Sequence, residues 1–270
     1  MPERNDVKFV WVIGAIFGPA LLVVIELFHP AGFTIDPGMF QYLTEPHQHT
    51  SAHHALDYFG PDWWFWLHMI QTPTVVLFSI ALVLSVGAIA KGAALPAQIA
   101  AWVTRAALYV FAVYYTVLDG IGGIGLGRSL EITKAMAHDT SYTYAGKTVD
   151  CVDAAGAPTV CLNPDQLEGV TRVLNATWTD QWVGGVGSMV SLTGSYAVLI
   201  AAVALAVTLV LARGISGMSI IAWVSIVPLV SGGWYVQESH ACCTGPTGFG
   251  LFCLFSCLTW WDNMQREPKN

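Results

Sequence analysis

The side chains of this chain that could do chemistry fall into two groups. Its eight histidines are His29, His47, His49, His53, His54, His68, His138 and His240. Four of them crowd the stretch Glu45-Pro-His47-Gln-His49-Thr-Ser-Ala-His53-His54. A tract of this kind binds zinc, copper or nickel because several neutral imidazoles can converge on one ion. His49 and His53 are four residues apart, and on a helix both would face the same way, as paired ligands must. A solvated polar loop is the plainer reading of the same tract.

The second group lies in or at the ends of apolar runs. Glu26 precedes His29 by three residues, the half-site spacing of carboxylate-bridged di-metal proteins, although no second copy occurs at that spacing. Glu238 and His240 close another run, and Cys242 and Cys243 follow at once, thiols that suit copper or zinc. His68 and Asp119 sit inside runs, where an ionisable group costs about 2.5–3.5 kcal/mol on insertion scales and therefore signals a partner or a site. His29-Pro-Ala-Gly-Phe33 also has a loose echo in His240 followed by Gly245-Pro-Thr-Gly-Phe249, each after an acid, Glu26 or Glu238. Two similar helix exits explain the echo equally well.

These residues lead to one expectation about function. His29, His68 and His240 would supply nitrogen ligands. Glu26, Asp119 and Glu238 would supply oxygen ligands or orient the imidazoles. The bound group would be a copper, zinc or iron ion, or haem, with His47, His49, His53 and His54 recruiting the ion. A redox-active metal would make the protein a membrane oxidoreductase, and a closed site would make it a metal-handling protein. Two alternatives stand beside this: a proton-coupled transporter using Asp119 and His68, and a non-catalytic membrane subunit of a larger complex. No C-x-x-C-H haem attachment, Walker loop, G-x-S-x-G elbow or H-E-x-x-H occurs. Gly120-Ile-Gly122-Gly-Ile-Gly125 spells G-x-G-x-x-G, but it lies in an apolar run with no strand before it. It reads as close helix packing or a bend beside Asp119.

The elements that must carry these residues follow from composition. Of 270 residues 54% are hydrophobic and only 11% charged, against about a quarter in soluble domains. The net charge of −7, from 11 Lys and Arg against 18 Asp and Glu, leaves no basic stripe for a nucleic acid. The expected fold is all-α, a polytopic integral membrane helical bundle forming a single membrane domain, with the lipid bilayer as its medium. A spanning helix needs roughly 20 apolar residues. Six runs qualify: 9–28, 63–90, 99–126, 183–212, 215–236 and 245–261, the last being short. The first lacks a small-x-small cleavage site and reads as a retained helix.

Lys and Arg orient the bundle. Cytoplasmic N- and C-termini place Arg4, Lys8, Lys91, Arg105, Arg213, Arg266 and Lys269 inside and leave only Arg128, Lys134, Lys147 and Arg172 outside. This topology puts every histidine outside or in the outer half of a plasma (inner) membrane. The external segment 127–182 is too long for a simple connection. Its Tyr/Thr/Val alternation suggests a small hairpin, with Cys151 and Cys161 forming a disulfide on the oxidising side. Trp63, Trp64, Trp66, Trp178 and Trp182 read as an outer aromatic belt, and Trp11, Trp102, Trp223, Trp260 and Trp261 as an inner one.

Overall fold

The structure is a computed structural model that describes residues 4–29, 39–44, 55–178, 185–240 and 244–266. It is mostly helical. In chain order the elements are α1 (Arg4–Val12), a π-helical turn (Ile13–Phe17), α2 (Gly18–Glu26), α3 (Met39–Thr44), α4 (Ala55–Ile89) and α5 (Leu95–Val117). A second π-helical segment (Leu118–Gly125) leads into α6 (Leu126–His138), then β1 (Ser141–Tyr144), β2 (Lys147–Asp150) and α7 (Pro164–Trp178). A third π turn (Val186–Val190) opens α8 (Ser191–Arg213), followed by a 3₁₀ turn (Ile215–Gly217), α9 (Ile220–Glu238) and α10 (Thr244–Arg266).

Five helical runs among the described residues are long and apolar enough to cross a membrane: Lys8–Glu26, Trp63–Ile89, Leu95–His138, Val186–Arg213 and Ile220–Glu238. Four follow the expected runs closely. The third continues well past Leu126, because residues read as the start of an external loop form an amphipathic helix instead. The run 245–261 is indeed helical within α10, but Gly, Thr, Ser and Trp dilute its hydropathy and it is not among the five.

The chain packs as two compact units. The first comprises Met1–His29, Ile70–Thr116 and Val190–Asn270. Here Gly14 lets α1 and its π turn come close to α4. A Cβ at Gly14 would stand 2.5 Å from the Leu77 carbonyl oxygen and 2.6 Å from the Ala81 Cβ. The π turn ends just before Pro19, which has no N–H to offer the preceding turn, so the backbone widens there rather than breaking. Helices α8, α9 and α10 lie side by side, with Gly232 and Gly233 thinning α9 on two sides. A Cβ at Gly233 would meet the Ala202 Cβ at 2.6 Å, and one at Gly232 would meet the Gly248 carbonyl at 2.9 Å. Ser219 caps α9 by accepting from the Ala222 N–H at 3.0 Å. Arg213 at the end of α8 pairs with Asp262 of α10 at 2.6 Å, and the Ser219 hydroxyl donates to the same carboxylate.

The second unit comprises Pro30–Met69 and Val117–Met189. Its core gathers Met39, Leu43, Trp64, Leu126, Leu130, Leu167 and Leu174. The polar face of α6 carries the exposed Arg128–Glu131 pair, and its other face buries Leu126 and Leu130, which is why this segment is helical despite its charges. At the start of α7, Asn163 and Gln166 exchange side chain–backbone hydrogen bonds of 2.9 Å each way, a capping box with Pro164 just inside the helix. β1 and β2 form an antiparallel hairpin whose turn residues, Ala145 and Gly146, have φ of 50° and 77°, as a two-residue turn of matching twist requires. Cys151 and Cys161 stand at disulfide distance, Cα to Cα 5.1 Å, so the hairpin and the cysteine pair are both present. His138 donates through Nε2 to the Leu43 carbonyl at 3.0 Å, a structural bond between α6 and α3.

Candidate functional site

In the first unit the end of α2 presents Glu26 and then His29, whose backbone N–H donates to the Glu26 carbonyl at 3.1 Å. Both side chains are buried, Glu26 completely. Two polar residues from apolar helices join them. Gln71 of α4 donates through Nε2 to Glu26 Oε1. The same Nε2 lies 3.4 Å from the Tyr115 hydroxyl of α5. A carboxylate accepts and does not donate, so this contact fixes the Gln71 amide with its nitrogen toward Glu26. The Gln71 Oε1 is thereby turned away, buried, and without a hydrogen-bond partner among the described residues.

His240, just beyond α9, completes the group. Its ring meets that of His29 edge to face, with centroids 5.1 Å apart and planes at 89°. The Tyr115 ring lies 5.4 Å away at 77°. The turn that carries His240 depends on Gly245, where a Cβ would overlap the His240 carbonyl oxygen at 1.6 Å. By surface area His240 is only half-buried. The chain packed around it is nonetheless dense enough that desolvation pushes its imidazole down to about 3, with repulsion from His29 adding to the effect. The ring is therefore neutral at any physiological pH. A neutral imidazole is the form that binds metals.

In the second unit His68 is buried against the π-helical segment Leu118–Gly125. Its Nδ1 is 2.6 Å from the Trp64 carbonyl. A carbonyl can only accept, so Nδ1 carries the proton. The Trp64 indole N–H in turn donates to the Gly122 carbonyl at 2.9 Å. The glycines explain the close fit. A Cβ at Gly123 would fall 2.1 Å from His68 Cγ, one at Gly127 2.7 Å from Trp64 Cδ1, and one at Gly187 2.4 Å from Trp178 Cε2. Gly120-Ile-Gly122-Gly-Ile-Gly125 is thus a packing and bending element, as its setting in an apolar run suggested. Asp119 is fully buried within the same segment. Trp64 is fully buried too, not part of an interfacial belt. Its indole is satisfied by backbone and stacked near Trp178 at 6.1 Å. Trp66, Trp102 and Trp261 are exposed, as belt residues would be.

Of the residues singled out by sequence, His29 and His240 meet, with Glu26 one turn away. His68 and Asp119 are buried in the second unit. Glu238 is exposed and accepts from the Trp234 indole at 3.0 Å. His47, His49, His53, His54, Cys242 and Cys243 lie outside the described residues. Among the described residues no group of three or more His, Cys, Asp or Glu converges closely enough to hold a metal ion. Gln71 and Tyr115 escaped the sequence reading. The available signal was the one amide of its apolar run, Gln71, and one of three phenols in the next, Tyr109, Tyr114 and Tyr115. Set against known proteins, the chain matches no family model, no curated protein and no solved structure.

Proposed function

We propose that this is a multi-pass membrane protein that binds a copper, zinc or iron ion between His29 and His240, under the external end of its helices. The perpendicular approach of the two rings carries the reading. Two imidazoles on one tetrahedral ion, with metal–nitrogen bonds of about 2.0–2.1 Å, hold their centroids about 5 Å apart. The observed separation is 5.1 Å. A haem iron would hold the rings on opposite faces of the macrocycle, with centroids roughly 6 Å apart. The spacing thus favours a small ion. An ordinary edge-to-face contact has a similar spacing. What sets this pair apart is the buried carboxylate of Glu26 one turn behind His29. Glu26 is directed to Gln71, so its role here is to set the charge and polarity of the site beside the two ligands.

The same proposal includes six spans, with both termini cytoplasmic in a plasma (inner) membrane. Its support is α10, whose 23 residues give a length of roughly 35 Å at 1.5 Å per residue. Cys253 Sγ reaches the Ile16 carbonyl at 3.6 Å, and a Cβ at Gly250 would reach Val23 at the same distance, so α10 runs antiparallel along the first span. The Cys151–Cys161 pair favours an oxidising compartment for the hairpin. The test is equilibrium dialysis of detergent-purified protein against Cu(II), Zn(II) and Fe(II), with elemental analysis. Saturable binding by the wild type that is lost in the His29→Ala/His240→Ala variant supports the reading. Equal binding by both would remove it.

A second reading has its own observation. Asp119 is fully buried in a π-helical segment, a feature frequent at functional sites, and the same segment packs through Gly123 against a histidine of fixed tautomer. Proton uptake by sealed vesicles, abolished in Asp119→Asn, would support a proton-coupled role.

A further inference from the structure

At the corner between α4 and α5 the first unit carries a cation whose charge no described side chain neutralises. Arg105 lies ten residues into α5, within the apolar run that begins at Leu95. A charged side chain in a spanning helix is costly, and such residues almost always find a partner. Arg105 is half-buried, yet among the described residues its guanidinium makes no ion pair and no hydrogen bond. It stacks on the Trp102 ring one turn earlier, 4.9 Å from the ring centroid. Five N–H donors and a full positive charge are left for a ligand.

The place of the guanidinium indicates what that ligand is. The side chain reaches across to α4, where a Cβ at Gly87 would stand 3.3 Å from one of its terminal nitrogens. Gly87 is two residues, roughly 3 Å, from the end of the apolar run Trp63–Ile89. The charge is thus carried to the level at which α4 leaves the hydrocarbon, where lipid phosphates lie. Trp102 is 66% exposed, as a tryptophan at that level would be. Lys91, exposed in the turn just past α4, adds a second positive charge. Further along α5, one and two turns beyond Arg105, Tyr109 and Val113 are 71% and 40% exposed.

We propose that Arg105, braced by Trp102 and joined by Lys91, binds the phosphate of an anionic phospholipid whose acyl chain lies along Tyr109 and Val113. The planar guanidinium offers two parallel N–H donors to two phosphate oxygens, a match that an ammonium cannot make. The ring of Trp102 holds the plane of that fork. Two positive charges favour a lipid of net negative charge over a zwitterionic one, whose own ammonium would be repelled. A free phosphate ion could use the fork but not the apolar flank, so the site is assigned to a lipid. The proposal is independent of the histidine pair and requires only that these helices cross a bilayer.

Native mass spectrometry of the full chain in detergent, with phosphatidylglycerol or phosphatidylcholine added, reads the affinity of the first lipid bound. The wild type is expected to bind phosphatidylglycerol more tightly than phosphatidylcholine. Arg105→Gln should weaken the phosphatidylglycerol complex at least about tenfold, the worth of a hydrogen bond to a charged group. Arg105→Lys should lose most of the same affinity although it keeps the charge. Lys91→Gln removes a charge without touching the fork and should lose no more than about fivefold. Equal losses in Arg105→Gln and Lys91→Gln, or full affinity in Arg105→Lys, would show a diffuse surface potential in place of a site and overturn the proposal. Equal binding of the two lipids by the wild type would overturn it too. Displacement of phosphatidylglycerol by millimolar inorganic phosphate would assign the fork to the free ion and remove the lipid. Should Arg105→Gln not fold, Arg105→Lys decides.

Discussion

Alanine at Gly123 and at Gly120, three residues apart in one π-helical segment, should change stability in opposite directions. A Cβ at Gly123 would lie 2.1 Å from His68 Cγ, 2.4 Å from Cδ2 and 2.5 Å from Cβ. The imidazole cannot simply step aside, because its Nδ1 is held by the Trp64 carbonyl at 2.6 Å. Trp64 cannot move easily either, since its indole is bonded to Gly122, the neighbour of the substituted residue. The helix must therefore retreat or the bonds break. Overpacking of this kind costs about 1–3 kcal/mol, from which the better helix propensity of alanine returns up to about 1 kcal/mol. A Cβ at Gly120 would meet nothing within 4 Å, so Gly120→Ala keeps the propensity gain alone. Thermal unfolding in detergent, followed by tryptophan emission, should place Gly123→Ala several degrees below wild type and Gly120→Ala level with it or above. Indistinguishable midpoints for the two variants would refute the claim that Gly123 exists to admit the His68 ring.

Removing a partner of the Arg213–Asp262 pair, whose side chains are 14% and 3% exposed, should cost more than removing a surface pair. Asp262→Ala leaves the Arg213 guanidinium and the Ser219 hydroxyl facing a hole and should cost about 3–5 kcal/mol, whereas Glu168→Ala, in an exposed i,i+4 pair, should cost less than about 1 kcal/mol. Urea or mild-detergent unfolding of the two variants side by side checks this ordering. Cys151→Ser/Cys161→Ser opens a loop with a sequence separation of 10, and loop entropy alone puts the loss at about 2–3 kcal/mol, visible as earlier proteolysis of the hairpin region. In intact cells a membrane-impermeant thiol reagent should label a Cys placed at Ala154, in the exposed loop, only if that loop is external; labelling confined to broken cells would reverse the proposed orientation.

The spanning runs at Lys8–Glu26 and Trp63–Ile89 were legible in the sequence because length and continuity of apolar residues are all that a membrane crossing demands. The run beginning at Leu95 was legible only to Leu126. Beyond it Arg128, Glu131 and Lys134 read as loop, and only the packing of Leu126 and Leu130 against α7 makes the segment a helix. The hairpin was visible in its alternation, and the cysteine pair in its spacing. Trp64 was misread because interfacial and buried tryptophans share the same local sequence. What separates them is a distant acceptor, the Gly122 carbonyl. The echo between the His29 and His240 segments hinted at two similar exits, but not that the two rings would touch. That contact depends on α10 running antiparallel along the first span and on α9 packing against α10. Gln71 was beyond reach for the same reason: its partner Glu26 lies 45 residues away in the chain.

The most direct test of the account is the metal content of three purified proteins dialysed against the same Cu(II) buffer: wild type, His29→Ala/His240→Ala and His68→Ala/Asp119→Ala. A single ion per chain is expected in the wild type and in the His68/Asp119 variant, and background metal in the His29/His240 variant. Retention of the ion without His29 and His240, or its loss only without His68 and Asp119, would contradict it.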